Sequence, residues 1–153
     1  MALQTIVSRN IHPLDPSVVT VGAIHGGSAS NVIPERVEMV VSIRSLDPLV
    51  RDELERRIRL VVRHQAESYG MRADVDYQRG YAPTVNHKRE TDFLRDLARR
   101  FAGEENVVDM PRPNMGSEDF AYFLEKRPGS YFMLGTKVSD DVKPLHHPAF
   151  DFN

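Results

Sequence analysis

The stretch Ser17–Gly70, SVVTVGAIHGGSASNVIPERVEMVVSIRSLDPLVRDELERRIRLVVRHQAESYG, decides the architecture, because it holds three elements of unlike periodicity in one run. Its first ten residues are rich in β-branched side chains and end at the Gly26–Gly27 pair, which predicts a strand. Val19, Val21, Ala23 and His25 fall on one face of that strand, and Val18, Thr20, Gly22 and Ile24 on the other. After a polar turn, Val37, Met39, Val41 and Ile43 alternate with Glu38, Val40, Ser42 and Arg44, the pattern of a half-buried strand. Strands so close in sequence are expected to pair antiparallel. From Pro48 the period lengthens. Val50, Leu54, Ile58, Val61, Val62, Ala66 and Tyr69 draw one apolar stripe, with arginines and glutamates opposite. Asp47 is suited to cap the free amides, Pro48 to the first helical position and Gly70 to the terminus.

Working outward, MALQTIVSRN at the start reads as the end of an amphipathic helix, and MRADVDYQRG after Gly70 turns Ala73, Val75 and Tyr77 inward as a further strand. The order is thus helix end, strand, strand, helix, strand. A first strand and most of a first helix would complete a ferredoxin-like βαββαβ sandwich. Past residue 80 the pattern changes, and a domain boundary is expected there. RETDFLRDLARRFAG predicts a helix with Phe93, Leu94, Leu97 and Phe101 on one side and Gly103 closing it. NMGSEDFAYF predicts a short helix capped by Ser117, with Glu118 and Asp119 in its first turn. SYFMLG has strand length, and the tail from Thr136 is polar and loop-like. Residues 81–153 hold too few strands to build a sheet of their own.

The 153 residues are 41% apolar and 27% charged, an ordinary globular composition with room for one proper core or two small ones. A net charge of −2 spread along the chain leaves no basic face for nucleic acid. With no cysteine there is neither a disulfide framework nor a thiolate metal site. No apolar run reaches membrane-spanning length and no secretory leader is evident, so a cytoplasmic protein is expected.

Three motifs carry chemistry. In PLHHPAF, adjacent imidazoles sit between prolines that limit backbone freedom, which favours a metal ligand over two solvated loop histidines only if partners exist elsewhere. His12, His64 and His87 share no spacing with them, and there is no HExxH. In NMGSEDFAYF, a well-capped helix accounts for the pattern, and a backbone approach at Gly116 with Glu118 or Asp119 orienting a ligand is the functional alternative. In HGGSASNVIPERVEMVVSIR, Asn31 offers amide donors in a turn and Arg44 a fork suited to a carboxylate, against a plain connection with a surface arginine.

Taken together and in order, these motifs resemble the zinc-dependent aminoacylase/carboxypeptidase family of metallopeptidases, in its amidohydrolase branch of hippurate hydrolases, N-acyl-amino-acid deacylases and auxin-conjugate hydrolases. The resemblance covers essentially the whole chain. It implies a partial lid, or dimerisation, domain over residues 1–80 and the C-terminal part of an α/β metallohydrolase domain over residues 81–153. It further implies hydrolysis of the amide of N-acyl amino acids by a divalent metal cluster, zinc or manganese, with two ions in the complete enzyme. By position, His146 matches the family's metal-ligating histidine, with His147 as runner-up. Asn31 and Arg44 match the lid pair that grips the substrate carboxylate. The general-base glutamate and the other ligands are expected upstream of Met1, so no catalytic residue is assigned in this chain. A homodimer formed through the lid is implied, with a small-molecule N-acyl amino acid as substrate and neither nucleic acid nor membrane as partner. The competing expectation is a non-catalytic dimerisation or ligand-binding module.

Overall fold

The structure, a computed structural model, describes residues 1–136 and 143–151. The loop expected over 137–142 and the last two residues of the terminal motif lie outside them. Strand β1 (Ser17–Gly26) and strand β2 (Val37–Ser45) form the expected antiparallel hairpin, in register from Ser17 opposite Ser45 to Gly26 opposite Val37. The pairing steps from Val21–Val41 to Ala23–Val40, so Gly22 is a surplus residue and the strand bulges there. A one-residue slip exchanges faces. Past the bulge Ile24 stands opposite Met39, on the side of Val19 and Val21, while Ala23 and His25 join Thr20, Ser42 and Arg44. Strict alternation had placed Ala23 and His25 with Val19.

Helix α1 (Pro48–Glu67) begins as the sequence predicts: the Asp47 carboxylate accepts from Leu49 N at 2.7 Å and Val50 N at 3.2 Å. It ends in a paired carbonyl cap, with Gly70 at φ 69°, Gly70 N donating to Glu67 O and Met71 N donating to Ala66 O. Because the helix stops at Glu67, Tyr69 leaves the apolar stripe and is exposed, contrary to expectation. Residues 6–10 form a π-type helical turn where a helix end was expected. Leu3, Ile6, Val19, Leu54 and Ile58 make the buried cluster, with Val41, Ile43 and Tyr77 packed around it. The N-terminal turn and α1 therefore cover one sheet face, and the face carrying Arg44 is left open.

Residues 71–80 form neither helix nor strand, and Ala73, Val75 and Tyr77 are half-buried between exposed neighbours, the alternation predicted. They do not join the sheet, which has two strands only among the described residues. Their carbonyls are taken instead by side chains of α1: Arg59 donates to Val75 O at 2.9 Å and Arg51 to Gly80 O at 2.6 Å. Alternation fixes which side chains turn inward, whereas a ladder also needs a strand edge to pair with, and residues 71–80 pair with neither edge of the sheet. SYFMLG likewise forms no strand.

Helix α2 (Lys88–Ala102) closes at Gly103, φ 93°, as expected, yet buries none of its residues. Helix α3 (Phe120–Leu124) starts later than the sequence implies, and Glu118 rather than Ser117 serves its first amide, accepting from Phe120 N at 3.2 Å. Ala121 and Leu124 are its buried residues. No described helix is long and apolar enough to cross a membrane.

Candidate functional site

Arg44 sits at the penultimate position of β2, on the sheet face that neither the N-terminal turn nor α1 covers. Its Nη1 donates to the carbonyl of Met115 at 2.6 Å, joining positions 71 residues apart. Its Nε and Nη2 have no partner among the described residues. The Met115 carbonyl is presented by a local turn in which the Asn114 side chain accepts from Gly116 N at 2.8 Å. The open sheet face and the MGSEDF segment thus meet at one guanidinium. Sequence reasoning selected Arg44 and the motif separately; a backbone carbonyl leaves no trace in residue identity, although Asn two positions before Gly is a turn signal.

Three residues on, Glu118, which the sequence did single out, is held by groups that it did not. The Tyr131 hydroxyl donates to Glu118 Oε2 at 2.8 Å, while the other carboxylate oxygen accepts from Phe120 N. Those bonds, the tyrosine's first, hold the Glu118 carboxyl below its usual value, and Glu118 in turn raises Tyr131 above 10.0. Glu118 is therefore an ionised acceptor that fixes the start of α3, a role that does not suit a proton donor. Tyr131 is fixed from its other side by Asn86, whose amide accepts from Tyr131 N at 2.7 Å and donates to Tyr131 O at 2.8 Å. One side-chain amide does here what a neighbouring strand would do. His87 N donates to Gly129 O, and Gly129 N donates back to His87 Nδ1 at 3.2 Å.

Asn31 is exposed in the turn after Gly27 (φ 80°) and forms no hydrogen bond among the described residues. His146 is exposed in the terminal turn, with φ 70° and its ring likewise without a partner. A non-glycine residue in the left-handed region is uncommon, with histidine among the more tolerant types, and such conformations gather at functional positions. His147 differs: its Nδ1 accepts from Ala149 N at 3.0 Å, so the neutral ring carries its proton on Nε2 and keeps no lone pair for a cation. No hydrogen bond or ion pair joins Asn31, Arg44 and His146 to one another among the described residues. No group of three or more His, Cys, Asp or Glu able to hold a metal exists among them either. A catalytic ion takes about three protein ligands. Of the two terminal histidines only His146 has a free ring, which fits a single ligand position and not a complete site.

Residues 6–153 match the family model described as peptidase family M20/M25/M40. The chain belongs to that family. It is 40% identical over 150 residues to the N-acetyl-L-cysteine deacetylase of Bacillus subtilis, covering 98% of this chain and 35% of that protein. It is 35% identical over 159 residues to an IAA-amino acid hydrolase of Arabidopsis thaliana, covering 100% of this chain and 36% of that protein. Among solved structures, a dinuclear metal-binding M20 peptidase of Bacillus subtilis superposes with a TM-score of 0.74 at 26% identity, covering 99% of this chain and 40% of that one. The chain thus spans little more than a third of the M20 relatives it matches.

Proposed function

We propose that this chain is part of a metal-dependent M20 amidohydrolase that cleaves the amide bond of N-acyl amino acids, hippurate-like compounds included. Residues 1–80 act as its lid and 81–153 as the closing portion of its catalytic domain. Both named relatives act on an amino acid whose amine is acylated, which leaves a carboxylate free for recognition. The observation that carries the reading is Arg44: an exposed guanidinium beside the MGSEDF segment, with the Nε–Nη2 edge unspent. That edge suits a carboxylate, which a planar fork binds through two parallel hydrogen bonds and a lysine does not.

Arg44, with Asn31 donating from the turn, holds the substrate carboxylate and so sets the amide at a fixed reach from the cluster. His146 supplies one imidazole to that cluster, and the remaining ligands and the general-base glutamate come from polypeptide preceding this region. When bound, a pair of divalent ions, zinc or manganese, supplies an activated water and polarises the acyl carbonyl. Glu118 keeps α3 and the MGSEDF backbone in place without exchanging a proton. The lid pairs with a second copy along a strand edge, since neither outer edge of the two-stranded sheet is laddered among the described residues.

Calorimetric titration of the protein with hippurate tests the carboxylate role. Arg44→Ala weakens binding at least about tenfold, the scale of one charge-assisted pair, and hippuramide, which lacks the charge, binds the protein and the variant alike. Equal hippurate affinity in both removes Arg44 from recognition.

A further inference from the structure

We infer that Asn114 is a positioning residue for the carboxylate clamp, acting on Arg44 through the carbonyl of Met115; this rests on the proposed role of Arg44. An arginine at the end of a strand, exposed on a bare sheet face, has four side-chain torsions free, and a fork that wanders loses affinity to ordering cost. Here one donor is tied. Nη1 is spent on Met115 O at 2.6 Å, and the tie leaves the side-on pair, Nε and Nη2, whole. Had the carbonyl taken the Nη2 hydrogen that lies beside Nε, that side-on pair would have been broken.

What aims the carbonyl is the turn before it. Asn114 Oδ1 accepts Gly116 N at 2.8 Å, which closes the backbone around Met115 and fixes its peptide plane. Gly116 belongs to the same device. A Cβ there would stand 3.3 Å from Asn114 Oδ1, tighter than ordinary contact, so a larger residue shifts the Asn114 amide by a few tenths of an ångström. The device is a neutral acceptor at fixed direction. It orients the cation without competing for it as a carboxylate would, because a bond to a neutral carbonyl is weaker than one to an ionised group.

Asn114→Ala removes the acceptor, and Asn114→Ser restores a weaker one, since a hydroxyl closes the same turn less firmly. The first readout needs no ligand: rotation of the Arg44 guanidinium in the 153-residue protein, followed by nitrogen-15 NMR with the resonance assigned by its loss in Arg44→Lys. Rotation is slow in the parent, averaged in Asn114→Ala and intermediate in Asn114→Ser, while β1 and β2 amide shifts hold, showing the fold intact. The second readout is hippurate affinity, which falls roughly 2- to 10-fold in Asn114→Ala, the range for one immobilised side chain, and recovers in part in Asn114→Ser. Unchanged rotation and affinity in Asn114→Ala, with binding lost in Arg44→Ala, overturns the positioning role and leaves the clamp standing. Slow rotation lost in Asn114→Ala, with hippurate affinity untouched in Arg44→Ala, supports the tie and overturns the clamp.

Discussion

His146 and His147 are neighbours with the same side chain, and hydrogen bonding sorts them. The amide of Ala149 occupies the lone pair of His147 Nδ1, whereas both nitrogens of His146 stay open. Zinc titrated into the protein therefore shifts the His146 ring resonances first, and His146→Ala abolishes the first event while His147→Ala spares it. A simultaneous response from both rings would contradict this. The Glu118–Tyr131 pair gives a second residue-scale prediction, with a definite sign. Glu118 is lowered from 4.5, so its contribution is whole above that value and fades as the pH falls below it; Tyr131 is raised from 10.0, so its share is whole below 10.0 and fades as the pH climbs beyond. The melting-temperature gap between the parent and Tyr131→Phe should be widest between these limits and close toward acid. The candidate site was half visible in residue types: Arg44, Asn31 and His146, the residues proposed for it, carry functional groups that can be picked out by chemistry. Tyr131 and Asn86 were not, because their importance lies in reaching residues 13 and 45 positions away.

At the scale of elements, α1 is governed by local chemistry. Removing its cap with Asp47→Ala should cost about 1 kcal/mol in a thermal or denaturant melt. Local signals of this kind also located β1, β2 and α2, since each carries its period, its cap or its closing glycine within its own span. What local signals did not reveal was pairing. The alternation of Ala73, Val75 and Tyr77 is satisfied by packing one face toward α1, and the same pattern would appear with or without a ladder. Amide exchange separates the two conditions. Residues 72–79 should exchange far faster than Val19–Val21 or Val41–Ile43, and protection equal to that of β1 would show a bonded strand instead. The bulge at Gly22 escaped for a related reason: a surplus residue shows only against the partner strand.

For the whole molecule, the balance of buried and bare apolar surface is uneven. The larger cluster gathers around Leu54 and Ile58, while past residue 81 only Ala121 and Leu124 are buried among the described residues. Phe93 and Phe101 on α2 are 70% and 92% exposed. An apolar helix face of this kind drives association. The 153-residue protein should sediment as a concentration-dependent oligomer, and Phe93→Ser with Phe101→Ser should shift it toward monomer; a compact monomer for the parent would count against this.

Gly22 bears on all three scales. Without that one extra glycine, His25 would point toward the helices and Ile24 away from them, and the tip of the hairpin would show an aliphatic surface on the side where Arg44 stands. The insertion turns the tip over, so that imidazole and guanidinium share one face of the sheet, while Ile24, itself exposed at the tip, lies on the face that α1 covers farther along the strands.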